Sequence, residues 1–314
     1  MEFINGFTFG ITNSKSDFSL DRGKESLRLL KLRTNTSYVV LAVAAWQDTP
    51  QSTEIHYNTK DSVKDEDLVG IINYAKELEL KVILKPLLNC TDGTWRAHIN
   101  FFDIEAKCEP KWSDWFKSYN ELILHYAKIA QNNNCEMLII GCEMVQTERK
   151  EKYWRELIKC VKMVYNGLVS YNTDKYQEAN VKWWDAVDVI SSSGYYPIND
   201  WGNQLDRIEK IIKPYGKPFF FAEAGCASTS GASVEPNNWE LKGNINLEEQ
   251  ELYYQTMFRE TSKKSWIRGF GLWDWKSELY NENQAINDSG YEVFGKPAEK
   301  VIFDYYGKAS KKNS

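Results

Sequence analysis

Eight short apolar runs of strand length alternate with longer amphipathic stretches along this 314-residue chain. The runs fall at 7–11, 38–44, 81–87, 137–144, 168–171, 187–194, 218–223 and 269–273. Several have no polar break, such as Val39-Val40-Leu41-Ala42-Val43 and Phe219-Phe220-Phe221, as expected of strands buried on both faces. Helical periodicity is expected between them, over 23–33, 65–80, 112–133, 150–164, 205–215, 247–264 and 296–306. The unit after the fifth run, through Trp183 and Trp184, is short and the weakest of the series. With no break in composition, this pattern predicts an α/β fold: a single (β/α)₈ TIM barrel over residues 1–314, not an open doubly wound sheet. Barrels of this kind hold roughly 250 residues or more as one domain. The polar, basic end, 307–314, is expected to be a solvated tail.

Charge and motif content then remove function classes. With 39 Lys+Arg against 44 Asp+Glu the formal charge is −5, so the basic field that a nucleic-acid binder needs is missing. No run of 18 apolar residues offers a transmembrane helix,. The start, Met1-Glu2-Phe3-Ile4-Asn5-Gly6, lacks the basic and apolar regions of a signal peptide,. The chain therefore reads as cytoplasmic, or as secreted with its signal peptide already removed. The six cysteines form no C-x-x-C pair and read as free thiols,. Only 3 His are present, none in H-x-x-x-H spacing, and neither G-x-G-x-x-G nor a P-loop occurs. Neither a metal nor an organic cofactor is expected.

In a barrel of this type the chemistry sits at the C-terminal ends of the strands. Two runs end in glutamate, Ile139-Ile140-Gly141-Cys142-Glu143 and Phe220-Phe221-Ala222-Glu223. A charge at the end of an apolar strand, beside a small residue, is not there to pack a core. Strands about 4.8 Å apart and tilted about 36° close into a ring of roughly 7–8 Å radius. Strands four and seven then lie about 14 Å apart, which brings inward carboxyls to about 5–6 Å. That is near the spacing of about 5–5.5 Å in retaining glycosidases, and below the roughly 6.5–9.5 Å of inverting ones. One carboxyl of such a pair protonates the leaving oxygen and the other attacks the anomeric carbon. Their proximity keeps one proton on the pair.

Seven segments occur in order: Gly6-Phe7-Thr8-Phe9-Gly10, Leu84-Lys85-Pro86, Asp92-Gly93-Thr94-Trp95-Arg96, Gly141-Cys142-Glu143-Met144, Gly194-Tyr195-Tyr196-Pro197, Ala222-Glu223-Ala224-Gly225 and Leu272-Trp273-Asp274-Trp275. By their order and spacing the chain resembles glycoside hydrolase family 113, clan A (β/α)₈ barrels known as endo-β-1,4-mannanases. The resemblance runs from Gly6 to about Trp275. It implies that Glu143 is the acid/base and Glu223 the nucleophile. Most of the clan places Asn before the acid/base, where it binds the sugar 2-hydroxyl. Here Cys142 stands there, and a thiol is a weak hydrogen-bond partner. The expectation is that this softer residue suits the axial 2-hydroxyl of mannose. Trp273 matches the platform under the sugar being cleaved. A Tyr beside the nucleophile is also a clan feature, which leaves Tyr195 and Tyr196 as alternatives.

Other candidates follow from position. Tyr and Trp make 30 of the 314 residues, and flat rings with a polar handle suit the apolar faces of pyranoses. Trp112, Trp115 and Trp154 fall in helices and are expected to pack. Trp46, Trp95, Trp201 and Trp239 follow strands two, three, six and seven, and are candidates for neighbouring subsites. Asn89 and Arg96 follow strand three, beside Glu143; Arg96 could position a carboxylate, bind hydroxyls or make a structural ion pair. Lys85, inside strand three, reads as a substrate contact, the alternative being an interior charge paired with a carboxylate. The expected function is retaining endo-hydrolysis of mannan, glucomannan, galactomannan and mannooligosaccharides. The rivals are the same chemistry on β-glucan, xylan or galactan, and a sugar-binding barrel without catalysis. A phosphate-handling barrel would carry a Gly-rich loop where Trp273-Asp274-Trp275 stands,.

Overall fold

In the computed structural model, which describes residues 1–12, 18, 21–59, 62–104, 106–240 and 242–312, the eight strands are all parallel and close on themselves. They are β1 (Ile4–Thr12), β2 (Tyr38–Gln47), β3 (Lys81–Cys90), β4 (Met137–Cys142), β5 (Leu168–Thr173), β6 (Val189–Ser193), β7 (Phe219–Glu223) and β8 (Ile267–Trp275). Each pairs with the next in sequence, and β8 pairs with β1 to close the barrel. Seven helices among the described residues form the outer ring: α1 (Asp21–Thr34), α2 (Asp65–Glu77), α3 (Trp112–Asn132), α4 (Glu151–Val164), α5 (Trp201–Ile212), α6 (Leu247–Thr261) and α7 (Pro297–Lys312). The expected (β/α)₈ architecture is thus present.

Three boundaries differ from expectation for physical reasons. β2 and β3 continue past their apolar runs in unbroken register, through Trp46 opposite Asn89 and Gln47 opposite Cys90. The buried Gln47 amide accepts the indole N–H of Trp115 at 2.9 Å, which meets the requirement that a buried polar group be paired. α7 runs on through Lys312, so the expected solvated tail 307–314 is helical up to that residue. Its last two positions lie outside the described residues. No proline or strong breaker follows Tyr306, and one glycine costs a helix only about 1 kcal/mol.

Between β5 and β6 the described residues form no helix. Trp183 and Trp184 fill the gap instead, both fully buried. Trp183 stacks on Trp154 of α4 with ring centroids 4.9 Å apart and donates its indole N–H to the Glu148 carbonyl at 3.1 Å. Trp184 donates to the Glu178 carbonyl at 2.8 Å. A pair of indoles thus covers the wall that a helix covers elsewhere. Trp183→Ala is expected to destabilise the fold by about 3–5 kcal/mol through the cavity it leaves. A fall in the urea midpoint at unchanged slope is the measurement; an unchanged midpoint would show that the two indoles are dispensable.

The barrel lumen is apolar low down and polar above. Ile4, Val40, Ile83, Ile139, Val189, Phe220 and Ala222 form one interior cluster, and Ala42, Leu87 and Cys142 a smaller one. Two register shifts aim the site. β4 carries an extra residue against β5 between Ile139 and Cys142, and β7 one against β6 between Phe221 and Glu223. Bulges of this kind re-aim side chains beside active sites. Gly141 takes the outward turn in β4, where a Cβ would meet Tyr171 at 2.8 Å and Trp154 at 2.9 Å.

Candidate active site

Glu143 is the first residue beyond β4. Its backbone has φ of 54°, a left-handed conformation uncommon for a residue with a Cβ. Its N–H donates to the Asn172 carbonyl at 2.7 Å. The side chain is 8% exposed. Ser193 Oγ donates to Oε1 at 2.7 Å, and Arg96 Nη1 lies 3.4 Å from Oε2. Arg96 is itself fixed, because Nε donates to the Leu88 carbonyl at 2.9 Å and Nη2 to Asn89 Oδ1 at 2.6 Å.

Glu223 ends β7 and is 4% exposed. Its Oε1 is in contact with the Lys85 ammonium and accepts the Cys142 thiol at 3.3 Å. Its Oε2 accepts the Tyr195 hydroxyl at 3.0 Å. Lys85 also donates to Asn172 Oδ1 at 2.9 Å, and Asn172 Nδ2 to Ser193 Oγ at 3.1 Å. A continuous path of hydrogen bonds therefore joins the two carboxyls through Lys85, Asn172 and Ser193.

The same surroundings separate the two groups electrostatically. Burial, followed by the negative charges of Glu223 and Asp174, pushes the Glu143 carboxyl up to about 7, against the opposing pull of Arg96 and Ser193. Burial acts on Glu223 too, but there the charge and hydrogen bond of Lys85 win, with help from Arg96 and Cys142. Its carboxyl is held below the usual range. Burial raises the Cys142 thiol well above its ordinary value, so it stays protonated and donates. One carboxyl that holds its proton near neutrality faces one that stays ionised, which is the division of labour that a carboxyl pair needs.

The candidate residues sort as follows. Tyr195, not Tyr196, points to Glu223. Tyr196 turns outward, donates to Glu178 Oε1 at 2.7 Å and is fully buried beside Trp201 and Phe221. Trp201 is likewise no subsite residue: it opens α5 and is buried against Tyr196, Phe221 and Tyr253. Lys85 has no exposed surface and is the interior charge rather than a substrate contact. Cys142 is buried and its thiol addresses Glu223. Asn89 serves as the acceptor that fixes Arg96. Trp273 is half-buried, its ring 6.0 Å from that of Trp239. Trp239, 53% exposed, in turn lies 5.6 Å from Tyr195 and 4.5 Å from Tyr291. Together these rings build an aromatic wall on the Glu223 side. Trp273 is drawn to it by the close approach of β8 to β7: its N–H donates to the Ala224 carbonyl at 2.8 Å, and any Cβ on Gly225 would collide with its carbonyl oxygen. Trp95 is exposed on the β3 loop beside His98, and Trp46 is half-buried at the end of β2, in register with Asn89.

Asn172, Ser193, Asp174 and Tyr291 were not among the candidates. The first two carried a legible signal, as polar residues within buried strands; the apolar reading of strand five stopped at residue 171, one position short of Asn172. Among the described residues, no group of three or more His, Cys, Asp or Glu side chains is placed to hold a metal ion, and no helix is long and apolar enough to cross a membrane.

A parallel barrel that sets a protonated carboxyl and an ionised carboxylate beneath an aromatic wall is the architecture of a glycoside hydrolase. The sequence model of Glycoside Hydrolase Family 113 matches residues 7–296, and the chain belongs to that family. Among solved structures, a GH113 β-1,4-mannanase described as a complex is 60% identical, covers 98% of this chain and 99% of its own, and superposes with a TM-score of 0.96. The GH113 β-mannanase AaManA from Alicyclobacillus acidocaldarius, in complex with ManMIm, is 37% identical over 98% of both chains, with a TM-score of 0.95. The β-glucuronidase of Ruminococcus gnavus, 15% identical with a TM-score of 0.65 over 97% of this chain and half of its own, shares the fold alone. No curated protein matches the sequence.

Proposed function

We propose that the protein is a retaining endo-β-1,4-mannanase, with Glu223 as nucleophile and Glu143 as acid/base. Substrate choice rests on the 60% identity to a β-1,4-mannanase over nearly the whole chain. The chemistry rests on the opposed environments of the two carboxyls. In the first step a Glu223 oxygen attacks the anomeric carbon of the bound mannosyl unit. The bond to the leaving oxygen breaks with its electron pair, and Glu143 delivers its proton there. In the second step the Glu143 carboxylate takes a proton from water as that water attacks the same carbon, and the ester to Glu223 breaks. Two inversions give net retention. Tyr195, Lys85 and Cys142 hold Glu223 in one orientation, Ser193 and Arg96 hold Glu143, and Trp273 and Trp239, the latter backed by the buried Tyr291, offer apolar faces to the sugar,.

The test is a panel of polysaccharides assayed for new reducing ends, with the anomer of the first product followed by NMR. Linear mannan, glucomannan and galactomannan are expected to be cut at least about 10²-fold faster than β-glucan, xylan or galactan, since a site that hydrogen-bonds one hydroxyl arrangement rejects its epimer strongly. The newly formed end should be β. Comparable rates on xylan or β-glucan would overturn the substrate assignment, and an α product the mechanism.

A further inference from the structure

Lys85 places a full positive charge against the carboxylate that must change charge twice in each catalytic cycle. It lies in the middle of β3, opposite Ala42 of β2, between the inward-facing Ile83 and Leu87. It has no exposed surface, so a sugar cannot reach it. Its ammonium contacts Glu223 Oε1 and is braced by Asn172 Oδ1 at 2.9 Å. A buried cation is retained at a desolvation cost, and here it sits on the reacting group itself.

We propose that Lys85 is a catalytic residue for the second half of the reaction, driving release of the sugar from Glu223 and keeping the glycosyl-enzyme short-lived. This inference rests on Glu223 being the nucleophile. Glu223 is an anion before attack, a neutral ester in the intermediate, and an anion again after hydrolysis. A fixed cation on its oxygen favours the anionic states over the ester, because charge–charge attraction is strong where water is excluded. During glycosylation that attraction is being lost, so Lys85 gives no help to the attack. During deglycosylation it is being regained: water attacks the anomeric carbon, the carbon–oxygen bond to Glu223 breaks, and the electron pair returns to an oxygen beside the ammonium. Lys85 therefore acts on carboxylate departure as a buried cation acts on any leaving anion.

Lys85→Met and Lys85→Gln test this with a dinitrophenyl β-mannobioside at pH 8. Its leaving group needs no proton, and Glu143 is there ionised and able to act as base. kcat, limited by deglycosylation for such a substrate, is expected to fall about 100-fold, KM to fall with it, and kcat/KM to stay within about threefold. Intact-mass analysis at a substrate concentration about tenfold below the wild-type KM, which still saturates variants whose KM has fallen about 100-fold, should show most of each variant as a glycosyl adduct on Glu223 and about a tenth of the wild type so. Lys85→Gln retains a donor for Glu223 and Asn172 and loses only the charge, so it must show the same split. If kcat/KM falls as far as kcat while KM holds, Lys85 merely positions Glu223 and the proposal is overturned. If both variants keep the wild-type kcat and KM and show no more adduct than the wild type at that concentration, the charge does nothing for release, and the proposal again fails. Failure of the underlying reading is separately visible: a 2-deoxy-2-fluoro-β-mannosyl fluoride would then label the wild type at a residue other than Glu223, or nowhere.

Discussion

Glu223→Gln is expected to lose turnover of every substrate by about 10⁴-fold or more, activated aryl mannosides included, because an amide cannot form the glycosyl ester. Leaving-group ability is irrelevant to that loss, which separates it from any variant that impairs proton delivery. The substitution also acts on the fold. Lys85 would keep Asn172 but face a neutral amide in place of its counter-charge, and breaking one side of a buried ion pair costs about 3–5 kcal/mol. A lower urea midpoint is therefore expected alongside the activity loss, and circular dichroism at the assay temperature must show a folded protein. Glu223→Ala gives a stereochemical check. The nucleophile occupies the face opposite the β leaving group, so azide admitted to the vacated space should restore cleavage of an aryl β-mannoside and yield the α-mannosyl azide. A β-azide product, or residual mannan cleavage above about 1% of wild type, would show that Glu223 is not the attacking group.

The barrel itself was legible because its cause is local. Runs such as Val39–Val43 and Phe219–Phe221 bury both faces of a strand, and a sequence cannot conceal that,. The two strand-end glutamates were legible for the same reason, as charges where only apolar residues pack. What the pattern could not convey is direction once alternation fails. Phe220 and Ala222 face the lumen as a regular strand requires, but Glu223 faces it as well, because β7 carries an extra residue against β6. Cys142 and Glu143 owe their aim to the corresponding shift in β4. Beyond a bulge, neighbours in sequence diverge: Tyr195 addresses the nucleophile, while Tyr196 joins Trp201 in the outer core. Lys85 was ambiguous because its partner is 138 residues away, and only closure of the barrel brings the two together.

Glu143→Gln is expected to separate substrates by their leaving groups. Mannan, whose leaving alkoxide must be protonated, should be cut about 10³-fold more slowly, the scale on which a positioned general acid contributes. A dinitrophenyl β-mannobioside leaves without a proton, so its kcat/KM should stay near wild type. Its kcat should fall together with KM, because hydrolysis of the intermediate has lost its base. The pH profile follows from the same group. In the wild type kcat/KM on mannan should decline above about pH 7, as the raised carboxyl of Glu143 gives up its proton,. In the variant that alkaline limb should vanish. Stability carries an independent sign. A carboxyl raised in the folded state from 4.5 to about 7 penalises the fold as pH rises through that interval, since the unfolded chain ionises first. Glu143→Gln removes the penalty, so the variant should gain stability relative to wild type between pH 5 and 8 while losing activity on mannan. Azide should again rescue the Glu143→Ala variant, but now from the face that water uses, to give the β-mannosyl azide. Equal losses on mannan and on the aryl glycoside would place the acid on some other residue.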